Sequence, residues 1–151
     1  GLGDVDNIAD LPKIKRMAAA TGIDKWIESL PEKYDNSVTR DFAKGVTPST
    51  GQWQRLALSR TLFRDPEVMI LDEPTSNVDP EAEEQIFKQI LSLGRDKIIL
   101  FISHRFSTVR QADRILVLDD GKITEEGSHE QLMKMKGTYS RLFTLQARSY
   151  R

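Results

Sequence analysis

Apolar residues recur with a helical period in the early part of the chain and as short unbroken runs later; the change of character falls near residue 66. Ile14, Met17 and Ala18 are spaced to share one helical face, and Gly22 is placed to end that helix. A short second helix around Trp26 and Ile27 stops at Pro31, and a loop rich in turn-forming and charged residues runs on to Pro48. The next helix is predicted from about Ser49 to Arg64, with Ser49 and Gln52 at the S-x-x-Q spacing of a capping box. On it Trp53, Leu56, Ala57 and Phe63 are expected to pack, and Arg55 and Arg60 to be solvated or paired.

Beyond Pro66 the pattern alternates between strand and helix. Val68 to Leu71 reads as a strand, and Asp79 and Pro80 as the N-cap and first position of a helix whose positive end suits Glu81, Glu83 and Glu84. Ala82, Ile86, Ile90 and Leu93 form its apolar stripe, which Gly94 closes. The run "KIILFIS" is apolar on both faces, as a strand of a covered parallel sheet is, so residues 68–102 read as a β-α-β unit. "RILVLDDGKITEEG" is a hairpin signal with Asp120-Gly121 as its turn, and Ser128 with Gln131 repeats the capping box before the C-terminal helices. The expected fold class is α/β: a helical part over residues 1–65, then an α/β part over residues 66–151.

Composition narrows the choice of function. The 151 residues, 38% hydrophobic and 30% charged, suit one globular domain. The net charge of -1 comes from 22 basic and 23 acidic residues that are interspersed, which leaves no basic stripe and excludes nucleic acid as an expected partner. The absence of cysteine removes disulfides and thiolate metal sites. The longest apolar run, Ile98 to Ile102, falls far short of the roughly 18 residues a spanning helix needs. The chain opens on Gly1, and "GLGDVDNIAD" reads as a connecting stretch, so the expectation is a piece of a longer protein.

Candidate chemistry collects at strand ends, where open α/β sheets bind their ligands. "VMILDEPTSNVD" (68–79) runs from four apolar residues into Asp72 and Glu73. Asp72 suits a hard Mg2+ ion, which takes oxygen ligands and keeps several waters; Glu73 could accept a proton from an attacking water. His104 in "ISHR", at the end of the second strand, could hydrogen-bond a terminal phosphate on the same rim. Asp-Glu-Pro after a strand is also ordinary turn chemistry. In "PSTGQ" the amides of Thr50 and Gly51 open a helix and so form an anion site, although every well-capped helix shares that feature. The phosphate cradle G-x-x-x-x-G-K-[ST] occurs nowhere in the chain.

The order "STGQ", "QRLALSRTLFRDPEVMILDEPTSNVD" and "ISHR" resembles the ATP-binding cassette ATPases of ABC transporters. "STGQ" is similar to the family signature, "VMILDE" to its Walker B strand and "SNVD" to its D-loop, and His104 falls at the H-loop. "ADRILVLDDGKITEEGSHEQLM" and "GTYSRLFTLQ" resemble the export-type branch. The resemblance implies ATP and Mg2+ as cofactors, with Asp72 supporting Mg2+, Glu73 as general base, His104 at the γ-phosphate and Asp79 coupling two cassettes. It further implies that Ser49, Gly51 and Gln52 touch ATP held by a second cassette, in a homo- or heterodimer. A transmembrane domain fused upstream, and a place at the cytoplasmic face of the cell membrane, also follow.

In that family the Walker A loop and Q-loop precede the helical subdomain. The chain is therefore expected to be a partial P-loop NTPase-like core, not competent in hydrolysis alone, that contributes to an exporting ATPase; the alternative is a non-enzymatic module docking its signature face on a partner cassette. Thr50 stands where the family carries its first signature Gly, and Pro48 where it carries Leu.

Overall fold

The computed structural model describes residues 4, 7, 9–39, 45–76, 78–94 and 96–149. Most of the opening connecting stretch and residues 40–44 of the loop before Pro48 lie outside these. The chain packs as two compact units, Gly1–Leu100 and Phe101–Arg151.

The first unit begins with helix α1 (Leu11–Ala20), whose N-cap Asp10 accepts a hydrogen bond from the Lys13 amide at 2.9 Å. Thr21 caps its C-terminus and Gly22 follows at φ +69°, a left-handed turn that glycine makes without steric cost. Helix α2 (Asp24–Glu28) is followed by a 3-10 turn (Lys33–Asp35) that the spacing did not announce. Ala18, Ile23 and Ile27 form a core with Trp26, Tyr34 and Leu56 against it. Helix α3 (Thr50–Arg64) packs along α1; Thr21 and Ser59 hydroxyls meet at 2.6 Å, and Arg55 Nη1 donates to the Gly22 carbonyl at 3.2 Å. Trp53, expected to pack, is instead 39% exposed, while Leu58, Leu62 and Phe63 carry the buried face.

Asp65 ends α3 in the left-handed region, and the Lys97 ammonium at 2.7 Å holds its carboxyl below the ordinary range. Strand β1 (Val68–Asp72) then lies beside strand β2 (Ile98–Ile102), with helix α4 (Pro80–Leu93) as the crossover. The arrangement is the predicted parallel β-α-β unit. Met69 and Leu71 of β1 are buried, as are Ile86, Phe87 and Ile90 of α4. The expectation of strands covered on both faces fails: Val68, Ile70, Ile98, Leu100 and Ile102 are exposed. Successive residues of a strand point to opposite faces, and in β1 the exposed Val68 and Ile70 alternate with the buried Met69 and Leu71.

The second unit holds a short helix α5 (Phe106–Val109), strands β3 (Ile115–Asp119) and β4 (Lys122–Gly127), and helices α6 (His129–Met135) and α7 (Thr138–Ser149). β3 and β4 pair antiparallel with an irregularity at Val117/Leu118, which leaves Thr124 as the extra residue of a bulge. Asp120 and Gly121 both have positive φ (46° and 72°), the twist that a two-residue hairpin requires. The Glu125 carboxylate accepts from the amides of Thr138 and Tyr139, so β4 caps the start of α7. Ile115, Leu132 and Tyr139 make the core.

Candidate functional site

The N-terminus of α3 is built as its sequence spacing predicts. Ser49 is extended (φ -66°, ψ 165°); its Oγ accepts from the Gln52 amide at 3.3 Å, and Gln52 Oε1 accepts from the Ser49 amide at 2.8 Å. The box leaves the Ser49 hydroxyl proton to donate elsewhere, because Oγ acts in it only as an acceptor. Thr50 and Gly51 are the first two helical residues, whose amides precede the helix's own bonding pattern, and no acidic side chain stands in that turn. Ser49 and Thr50 are exposed, Gly51 and Gln52 half-buried.

At the end of β1 the exposed Asp72 and Glu73 lead into a turn with a left-handed residue at its head, Glu73 at φ +42°. Non-glycine residues rarely adopt such a backbone, and it persists where surrounding bonds fix it. The Ser76 amide donates to the Glu73 carbonyl at 3.2 Å and the Val78 amide to the Thr75 carbonyl at 3.1 Å. Two side chains from outside the turn also hold it. Gln54 of α3 donates from Nε2 to the Glu73 carbonyl at 3.2 Å and to Ser76 Oγ at 2.7 Å. The Thr75 hydroxyl, buried, donates to Glu83 Oε1 of α4 at 2.9 Å. Glu83, placed at the positive end of the α4 dipole as expected, is also a buried anchor, 3% exposed. Asp79 accepts from the Ala82 amide at 2.9 Å and caps α4; Asn77 of "SNVD" lies outside the described residues.

Asp72, Glu73 and Asp79 are therefore gathered on one turn, joined by Gln54 to the helix that Ser49, Gly51 and Gln52 open. His104 belongs to the second unit. It is exposed, and its backbone is clasped by Gln146 of α7: Nε2 donates to the His104 carbonyl at 3.0 Å, and Oε1 accepts from the Phe106 amide at 2.9 Å. The Phe106 ring meets Tyr139 and Phe143 edge-on at 5.4 and 5.6 Å, so α7 is fixed by packing as well. Burial pushes the Tyr139 phenol above its ordinary pKa, and its hydroxyl lies 2.9 Å from His129 Nδ1. Gln54 and Gln146 were invisible to sequence reasoning, since glutamine on a helix carries no local signal.

Among the described residues no group of three or more His, Asp or Glu could hold a metal by itself. The exposed Asp72 carboxylate has the oxygen donors that a hard Mg2+ ion takes. Among the described residues no helix is long and apolar enough to cross a membrane. A cavity of about 230 Å³ among α1, α2 and α3 is lined largely by apolar side chains such as Met17, Ile23, Ile27 and Leu56, and by none of the candidate site residues.

Residues 6–76 match the family model described as ABC transporter. The chain is 41% identical over 140 residues to mouse ATP-binding cassette sub-family B member 5, covering 93% of this chain and 11% of that protein. It is 41% identical over 144 residues to the ATP-dependent lipid A-core flippase of Photobacterium profundum, covering 95% of this chain and 24% of that one. A bacterial Atm1-family ABC exporter, solved with ATP bound, superposes with a TM-score of 0.82 at 33% identity, over 91% of this chain and 24% of the exporter. The chain thus spans about a quarter or less of these relatives. By these matches, which take in 91–95% of its length in each relative, the chain belongs to the ABC transporter family of ATP-binding cassettes.

Proposed function

We propose that this chain is the signature-bearing and carboxyl-terminal portion of an ABC transporter ATPase that couples Mg-ATP binding and hydrolysis to export across a membrane. Residues 1–65 serve as the helical signature subdomain and residues 66–151 as the carboxyl half of the catalytic core. What carries this proposal is the turn of Asp72 and Glu73, held by α3 through Gln54, the same helix whose first turn offers amides and no competing carboxylate.

Glu73 is the general base, taking a proton from the water that attacks the terminal phosphate. His104 orients that phosphate through a hydrogen bond, and Asp72 supplies an oxygen to the metal. Bound Mg2+ contributes charge neutralisation of the phosphates. Ser49, Gly51 and Gln52 act on ATP held by a second cassette: the Ser49 hydroxyl and the Gly51 amide donate to it, and the side chain of Gln52 keeps the turn in shape through the capping box. Asp79, at the head of α4, links the turn to that second cassette. The whole protein works at the cytoplasmic face of a membrane with a transmembrane domain, and this segment alone is not competent because it has no phosphate cradle.

Glu73→Gln in a complete cassette carrying these residues keeps the shape and removes the base. Hydrolysis should fall about 10²- to 10⁴-fold, or about 3–5 kcal/mol of barrier, with ATP binding retained. Measured turnover within about threefold of the parent would overturn the role of Glu73.

A further inference from the structure

We propose that Gln54 is the positioning residue for Glu73, setting the direction of its carboxylate from the helix that carries the signature. The inference rests on the functional assignment above but stands on its own geometry. The Glu73 carbonyl receives two donors, the Ser76 amide at 3.2 Å and Gln54 Nε2 at 3.2 Å, so both of its lone-pair directions are used. The next residue is Pro74, which has no amide hydrogen and a fixed φ, so the Glu73–Pro74 peptide has little freedom except rotation about the Glu73 backbone. Pinning that carbonyl pins ψ of Glu73, and with φ at +42° the direction in which its Cα–Cβ bond leaves the turn is fixed, the bond from which the carboxylate is aimed.

Gln54 also donates to Ser76 Oγ at 2.7 Å and therefore spans the turn between its first and fourth residues. From the opposite side the turn is tied to α4 by Thr75 and Glu83. Removing the Gln54 donors leaves the α4 tie in place, and the loss falls on the Glu73 end. Any displacement of α3 is passed to Glu73 through one amide group, so the first turn of α3 and the base move as a pair.

Gln54→Glu tests this, because glutamate keeps size and helix preference while losing both donors. In the 151-residue chain, hydrogen exchange at the Ser76 and Val78 amides should accelerate about tenfold or more, with the Leu58 and Leu62 amides of α3 unchanged. In a complete cassette kcat should fall about ten- to a hundredfold with KM for ATP unchanged, and the same substitution should cost nothing further in a Glu73→Gln background. Unchanged exchange in the turn, or an equal loss of kcat with Glu73 already replaced, overturns the proposal. Should α3 itself loosen in Gln54→Glu, Ser76→Ala, which removes one of the two acceptors, must still accelerate exchange in the turn, and its failure to do so counts against the role. A complete cassette without ATPase activity would remove the functional assignment and leave the exchange result to decide the role of Gln54.

Discussion

Helices α3 and α6 begin with the same device and differ in what stands next to it. Ser49 with Gln52, and Ser128 with Gln131, form capping boxes with the same two distances, 3.3 Å into the serine Oγ and 2.8 Å into the glutamine Oε1. The second helical position is Gly51 in one and Glu130 in the other, and only α6 has an acidic residue in its first turn. α6 satisfies the positive end of its own dipole with the Glu130 carboxylate. α3 brings no such charge, and a glycine at that place gives up helix stability. The capping geometry is common to both helix starts; the charge and the side chain at the second helical position are where they differ.

The sharpest way to break the comparison is to make α3 resemble α6. Gly51→Glu should raise the stability of the chain by about 0.5–1.5 kcal/mol, through helix propensity and the dipole, as measured by urea unfolding. In a complete cassette the same change should lower ATP hydrolysis about a hundredfold or more, by placing a carboxylate where phosphate is to sit. A stabilised variant with undiminished turnover would show that α3, like α6, is only a helix start. Next come the two serines. Ser49→Ala and Ser128→Ala should each cost about 1 kcal/mol of stability, since each loses one cap. Ser49→Ala alone should reduce turnover, by about tenfold or more, because a hydroxyl donated to a charged oxygen is lost as well; equal turnover in the two variants would remove Ser49 from the site. The smallest effect is expected from Glu130→Gln, about 0.3–1 kcal/mol of stability, fading in salt and leaving hydrolysis untouched. A loss that persists in high salt would mean that Glu130 acts through packing, and the contrast with Gly51 would lose its meaning.

Both boxes, the left-handed Gly22 and the Asp120-Gly121 turn were legible in the sequence because each is settled within a few residues. Asp72 and Glu73 were legible as candidates for the same reason, a strand period running into carboxylates, and Asp79 as a helix cap whose place among the candidates came only with the family resemblance. What holds them was not. Gln54 reaches Glu73 and Ser76 across 19 and 22 residues, Gln146 reaches His104 across 42, and Glu125 caps a helix 13 residues on. Such partners are chosen by packing, and a glutamine on a helix reads alike whether it is solvated or clasps a backbone. The burial of Glu83 was not legible for a related cause: dipole preference predicts acidic residues in a first turn but not which one a neighbouring threonine draws inward. The exposed Val68, Ile70, Ile98, Leu100 and Ile102 show the converse, since apolarity on both sides of a strand describes what it can bury and not what it does bury.

The hairpin tip has a practical use. Asp120 and Gly121 are exposed, and none of the described residues lies within 4 Å of the place a Cβ on Gly121 would take, its chain neighbours aside. The bulge at Thr124 and the pairing of Asp119 with Lys122 hold the two strands in register below the tip. A short Gly-Ser insert carrying a fluorophore or an affinity tag between residues 120 and 121 therefore meets no steric obstacle and adds mainly a loop-closure term that grows slowly with length. Position 120/121 is the attachment point of choice for following this chain optically while both capped helices stay untouched.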